Sequence, residues 1–315
     1  MRGLLPLALG VLLTAVLILL FTEGSRPARV APANASGAPS GSTGGASGAG
    51  VYSLPTGGRD PLAPPDSRPA MVPTLLPTAG AAFTAAAPGQ RPYVPVVMYH
   101  YVRTVDAGVD PLGYNLSVTP EQFSAQLNWL HAAGYETVRM TTLAACLRGE
   151  GACPARAVAL TFDDGYLDAY TTVMPILQQY GFTATFYIVN SFVGQPEYMN
   201  WDEIRALQQA GMEIGAHSLT HLDLTSLDLD MLRTEVAQSG ALIAAELGVP
   251  VVSFCYPAGR FNDTVVAVTG EAGYTSATTT IPDGPQDNPL TLPRLRISGS
   301  VDVEGLRWMV QAYLP

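Results

Sequence analysis

The sequence predicts a parallel α/β fold curled into a (β/α) barrel rather than spread as an open sheet. Three observations carry that prediction. From about residue 93 the chain repeats one phrase of amphipathic run, glycine and short β-prone run. It occurs at Ala133-Gly134-Tyr135, Tyr180-Gly181-Phe182, Ala210-Gly211-Met212, Leu247-Gly248-Val249 and Ala272-Gly273-Tyr274. A glycine placed there suits a helix C-cap that feeds a strand, and the alternation implies a parallel sheet with helices outside it. The helix starts are marked too, by Thr119-Pro120-Glu121-Gln122 and Asn200-Trp201-Asp202-Glu203, both with a capping-box pattern. Third, the polar residues of chemical interest follow apolar runs. His100 follows Val94 to Tyr99, Asp163-Asp164 follow 157–162, His217 follows 212–216, and Tyr256-Pro257-Ala258-Gly259 follow Val251 to Cys255. Strand ends converge on one mouth in a barrel and gather less completely in an open doubly wound sheet.

Taken in chain order, residues 1–22 carry Arg2 and then the uncharged, largely apolar stretch Leu4 to Phe21. The stretch is long for a signal peptide and just long enough to span a bilayer, so it reads as a signal-anchor or as a cleaved signal peptide. Either implies export, to the outer face of the membrane or into the medium. Residues 23–92 are rich in Gly, Ser, Ala, Pro and Thr. Such a segment cannot bury enough surface to offset chain entropy and is expected to be a flexible tether. Residues 93–315 fit one globular domain with a full core.

Cys146 and Cys153 flank the small polar loop Leu147 to Ala152, as a short disulfide or as two thiols, and Cys255 lies in an apolar run as a buried small hydrophobe. The net charge of −10 argues against nucleic acid or an anionic membrane surface as the main partner. A neutral substrate, or a product that becomes cationic, is easier to accommodate. No nucleotide cofactor is expected, because Gly41-Ser42-Thr43-Gly44-Gly45 lies in the tether and lacks the lysine of a phosphate loop.

The chemistry concentrates in two clusters, Thr161-Phe162-Asp163-Asp164-Gly165 and His217-Ser218-Leu219-Thr220-His221. A turn built on Asp-Asp-Gly and a solvated or core histidine pair account for the same residues structurally. Together, however, the clusters supply one carboxylate and two imidazoles for a divalent metal, with a second carboxylate left over as a base. Two of only four histidines stand at this spacing.

These clusters, with Val97-Met98-Tyr99-His100 and Tyr256-Pro257-Ala258-Gly259, resemble the successive motifs of the polysaccharide deacetylases, the NodB-homology family of carbohydrate esterases. The pattern is most similar to the branch acting on poly-N-acetylglucosamine. The resemblance implies a distorted (β/α) barrel of seven or eight strands that removes N-acetyl or O-acetyl groups from sugars with a divalent metal. Zinc is the commonest ion in the family, with Co2+, Ni2+ or Fe2+ as alternatives. It assigns Asp163 as general base, Asp164, His217 and His221 as metal ligands, and the backbone N–H near Ala258, with Tyr256, to the oxyanion and substrate.

Two departures from the family pattern stand out. Many members carry an arginine two residues before the proline of the third motif, where this chain has Cys255, so Arg260 becomes the nearest arginine for orienting Asp163. Many also carry a late Leu-x-His, whereas the late segment here reads Leu292-Pro293-Arg294-Leu295-Arg296-Ile297. His100 is then the imidazole left as general acid, since His131 falls late in a predicted helix, the alternative being that His100 is a buried histidine hydrogen-bonded to a carbonyl. Tyr166, Tyr198, Trp201 and Tyr256 are candidate glycan-stacking aromatics, although aromatics at these spacings more often serve as core. The expected function is metal-dependent N-deacetylation of an amino-sugar polymer: poly-N-acetylglucosamine, a chitin-like polymer or the peptidoglycan glycan. An O-acetyl esterase acting on a xylan-like polysaccharide and a catalytically impaired, membrane-tethered glycan-binding module are the alternatives.

Overall fold

A computed structural model describes residues 93–312. The predicted signal segment (1–22) and tether (23–92) lie outside the described residues. Among those described, no helix is long and apolar enough to cross a membrane.

The chain opens with β1 (Val96–Tyr99), β2 (Tyr101–Val102), α1 (Pro111–Leu116), β3 (Ser117–Val118) and α2 (Pro120–Ala132). It continues through β4 (Glu136–Thr137), α3 (Met140–Arg148), β5 (Ala157–Phe162) and a π turn leading into α4 (Met174–Gln179). Next come β6 (Thr185–Ile188), α5 (Trp201–Gln209), β7 (Glu213–Ala216), α6 (Leu229–Arg233) and α7 (Ser239–Leu247). The last elements are β8 (Ser253–Cys255), α8 (Asp263–Glu271), β9 (Ser276–Thr278), β10 (Leu295–Arg296) and α9 (Val303–Gln311).

The main sheet runs β10-β1-β5-β6-β7-β8-β9, with β4 added beside β5, and every pair is parallel. It is curled into a half-barrel whose two edges are joined by one segment. Thr279 N–H donates to Leu292 O (3.0 Å) beside β9, and Ile297 N–H donates to Met98 O (3.0 Å) beside β1. The expected alternation of strands and helices is present, and all five phrase glycines adopt positive φ, from 65° at Gly181 to 89° at Gly273. Only a residue without Cβ holds that backbone cheaply. Both predicted capping boxes form, at Thr119 with Gln122 and at Asn200 with Glu203. The separate parallel pair β2-β3 was not foreseen, because two-residue strands carry no periodicity to read.

All six residues of β5 are buried, and its apolar side chains build the layer that supports the site. Phe162 stacks on Tyr99 (5.1 Å between centroids) and on Phe186 (4.9 Å), tying β1, β5 and β6 together. Cys146 and Cys153 form a disulfide across seven residues, fastening the end of α3 to the loop before β5. Closing so short a loop in the unfolded chain stabilises the fold by about 2.5 kcal/mol. Cys255 is free and buried, as its apolar run suggested.

Asp168 joins the loop after β5 to β2, accepting Val102 N–H at 2.6 Å. Its other oxygen is buried without a partner, and burial pushes its carboxyl up to about 6. Because the folded value lies above the unfolded one, the stability linked to protonation is complete below about pH 4. It is lost as pH rises through 6. Asp168→Asn is therefore expected to stabilise the domain at pH 8 by on the order of 1 kcal/mol and to flatten its stability between pH 5 and 8. Urea unfolding at the two pH values measures this, and an unchanged pH slope refutes it.

Candidate active site

Carboxylates, imidazoles and arginines meet at the C-terminal mouth of the sheet. The Asp-Asp-Gly turn exists: Asp164 (φ 71°) and Gly165 (φ 80°) are both left-handed. Ser218 (φ 63°), His221 (φ 61°) and Ala258 (φ 52°) are left-handed as well. Strained non-glycine residues of this kind persist only where surrounding packing over-determines them. The turn and the site are thus the same feature. The backbone reverses at Asp164 and aims its carboxylate at the histidines.

Asp164 Oδ1 stands 3.4 Å from His217 Nε2 and 3.4 Å from His221 Nε2. The oxygen is buried and accepts no hydrogen bond. Burial works against its charge, yet the imidazoles of His217, His100 and His221 hold the carboxyl far below the usual range. His217 Nδ1 lies 2.7 Å from Cys255 O. A carbonyl can only accept, so Nδ1 carries a proton and Nε2 is the ring atom directed at Asp164, the one a neutral imidazole would offer to an ion. The loop between the histidines is pinned by buried Glu235, which accepts Thr220 N–H (3.0 Å) and Thr220 Oγ1–H (2.6 Å). His221 N–H donates to Ser218 Oγ at 2.9 Å. One oxygen and two nitrogens converging on an otherwise orphaned buried carboxylate fit a divalent cation. Three protein ligands leave coordination positions open, the catalytic rather than the structural pattern.

A second possible group, Asp163 with His217 and Cys255, is pre-empted by a guanidinium. Arg294 grips Asp163 with both ends of its fork, Nη1 to Oδ1 and Nη2 to Oδ2, each at 2.7 Å. Its remaining donors reach Thr279 O (2.7 Å), Thr161 Oγ1 (3.2 Å) and Cys255 Sγ (3.2 Å), so all five N–H bonds are used in a side chain with no exposed surface. Arg260, the arginine nearest the third motif in sequence, pairs with Asp223 at 2.6 Å near the surface and not with Asp163. Its position after the third motif turns it outward. Burial opposes ionisation of Asp163, but Arg294 outweighs it and the carboxyl titrates below its ordinary value. Sequence reasoning missed this role for Arg294. The available signal was a charged residue between Leu292 and Leu295 in an otherwise core-like run.

His100 Nε2 lies 4.0 Å from Asp163 Oδ2, within the same cavity. Burial lowers its pKa, partly offset by Asp163 and Asp164, and Nδ1 is buried with no hydrogen-bond partner. His131 is exposed on α2, as placed from sequence, near the Tyr180 ring. The cavity has a volume of about 380 Å3, and Ala258 and Tyr166 border it with the residues above. That size falls within the usual range for small-molecule sites. Tyr256 also borders it, but its side chain is structural. The ring is fully buried against Phe261, and the hydroxyl donates to Leu290 O at 2.9 Å. Tyr166 stacks with Tyr101 (3.5 Å) and with Tyr198 (5.0 Å), so its ring is already engaged by other aromatics. Trp201 packs on the core.

A sequence profile described as polysaccharide deacetylase matches residues 150–277. The Bacillus subtilis (strain 168) protein YxkH is 28% identical over 207 residues, covering 65% of this chain and 71% of its own. The poly-beta-1,6-N-acetyl-D-glucosamine N-deacetylase of Staphylococcus aureus (strain N315) is 27% identical over 202 residues, or 58% of this chain and 69% of that protein. Among solved structures, the Streptococcus pyogenes deacetylase PplD in complex with acetate superimposes with a TM-score of 0.65 at 26% identity, covering 69% of this chain and 97% of that one. With the motifs in order at one mouth and these matches spanning them, the chain carries a polysaccharide deacetylase domain match over residues 150–277, and the homologues it resembles are hydrolases.

Proposed function

We propose that this chain is a metal-dependent N-deacetylase of an extracellular N-acetylated amino-sugar polymer. The observation that carries the reading is Asp163, a buried carboxylate locked by Arg294 beside the Asp164-His217-His221 ligand set. Asp164, His217 and His221 would hold the ion, zinc being the best match to one carboxylate and two imidazoles. A divalent cation bound there supplies Lewis-acid chemistry, polarising an acyl oxygen and acidifying water.

The chain's own groups account for the protons. Asp163 accepts the proton that water loses as its oxygen attacks the acetyl carbon, and Arg294 keeps the carboxylate oriented throughout. The N–H at Ala258 faces the developing oxyanion. When the C–N bond breaks, the sugar nitrogen leaves with a proton from His100. His100 is held neutral by burial, so it must first receive that proton, and Asp163 at 4.0 Å is the group that has just taken one. The products are acetate and an amine that becomes cationic. The binding-module alternative rested on the missing arginine of the third motif and the missing late histidine; Arg294 supplies a guanidinium for the first, and His100 is the imidazole proposed for the second. The apolar segment 1–22 and linker 23–92 complete the proposal as an export signal or anchor and a tether that place the domain outside the cell.

Acetate release from N-acetylglucosamine oligomers by metal-loaded protein tests the reading. Asp163→Asn should lower kcat by about 10³-fold, the scale of general acid–base catalysis, while metal content is retained. Full activity in Asp163→Asn would sink the mechanism.

A further inference from the structure

A second cavity, of about 400 Å3, opens beside the catalytic one and is lined by Leu112, Asn115, Leu116, Arg296 and Ser298. The two cavities share Leu116 and Arg296, so Arg296 stands on the sill between them. The pairing of β10 with β1 sets it opposite Met98, two residues before His100. The chain contains no lysine, all sixteen of its basic residues being arginine, and it is acidic overall. Arg294 two positions earlier is saturated with partners, whereas the Arg296 and Asn115 side chains make no hydrogen bond or ion pair among the described residues. The carboxylate of Asp110, the N-cap of the helix that carries Asn115, is engaged with Gly113 N–H at 2.8 Å. Leu112 is 77% exposed and gives the second cavity an apolar lip.

An apolar lip facing an amide and a free guanidinium suits a sugar ring that carries an anion. We infer that this cavity is a subsite for the sugar next to the one being deacetylated, and that Arg296, assisted by Asn115, recognises a carboxylate on it. The subsite rests on the deacetylase reading and narrows its substrate to an acidic glycan. The net charge of −10 does not decide against this, because charges more than about 8 Å away are screened at physiological salt. A planar fork meeting a carboxylate acts at contact distance.

The test compares three N-acetylglucosamine-containing oligomers of equal length. One is neutral, one is oxidised to a carboxylate at C6, and one carries a lactyl ether at O3. In wild-type protein at least one acidic oligomer should exceed the neutral one about five-fold in kcat/KM, mainly through KM and less so at high salt. The arm that responds identifies the source of the carboxylate. Arg296→Gln should bring the ratio to about one, and Arg296→Lys should keep part of it. A wild-type ratio near one, or a ratio unchanged in Arg296→Gln, overturns the subsite. If no oligomer releases acetate, the deacetylase reading fails by itself. Calorimetric binding of the same oligomers then still decides the subsite: weaker binding of the acidic ones in Arg296→Gln upholds it, and equal binding overturns it.

Discussion

Arg294→Met is expected to destabilise the domain by about 3–5 kcal/mol, because it leaves Asp163 buried without a counter-charge. Acetate release by the folded fraction should fall at least about a hundred-fold, since the carboxylate loses the fork that aims it. Denaturant unfolding and kcat/KM measure the two effects separately. Arg294→Lys preserves charge but not the paired hydrogen bonds, so it should recover stability more than activity. A sharper test follows from geometry. Cys255 Sγ touches Arg294 Nη2 at 3.2 Å and lies 3.6 Å from Asp163 Oδ2. Side chains from positions 255 and 294 therefore converge on the same carboxylate. The double variant Cys255→Arg/Arg294→Met places the guanidinium where many family members carry it, and it should regain at least about ten-fold in activity over Arg294→Met alone. Absence of any recovery would mean that the arginine acts through its strand rather than through Asp163.

Loss of a ligand histidine should divide the site unevenly. His217 is buried and its tautomer is fixed by Cys255 O, whereas the His221 side chain is 31% exposed. His217→Ala is expected to abolish stoichiometric metal and to reduce acetate release by at least about 10³-fold. His221→Gln should retain an ion with affinity weakened about 10–100-fold, and millimolar metal should partly restore its turnover. Metal analysis after dialysis, paired with activity at graded metal concentrations, separates the two. Wild-type metal content in both variants would remove Asp164, His217 and His221 as the ion's ligands.

What the sequence disclosed depends on distance along the chain. The glycine caps and both capping boxes were legible because each is decided within about four residues. The convergence of His100, Asp163-Asp164, His217 and the 256–259 turn was legible because strand ends share a mouth. The Asp163–Arg294 pair was not, since it spans 131 residues and depends on how the sheet closes. Local reasoning favoured Arg260, which is adjacent to the motif but faces Asp223. Tyr256 lines the cavity but is a related case. Its place in the motif is genuine, but the hydroxyl is claimed by Leu290, part of the same closing segment.

That closing segment has a consequence for how the protein is made. Synthesis delivers β1 through β9 before the residues that lie between β9 and β1, so a nascent chain can hold nearly all of its sheet while Asp163 still lacks a counter-charge. A buried carboxylate in that state opposes compaction. Arrival of Arg294 both joins the edges and neutralises the interior. Stable folding and assembly of the base therefore happen in one late event. A chain ending near residue 290 is therefore expected to be loosely folded and open to proteases, which limited proteolysis of that truncation would show.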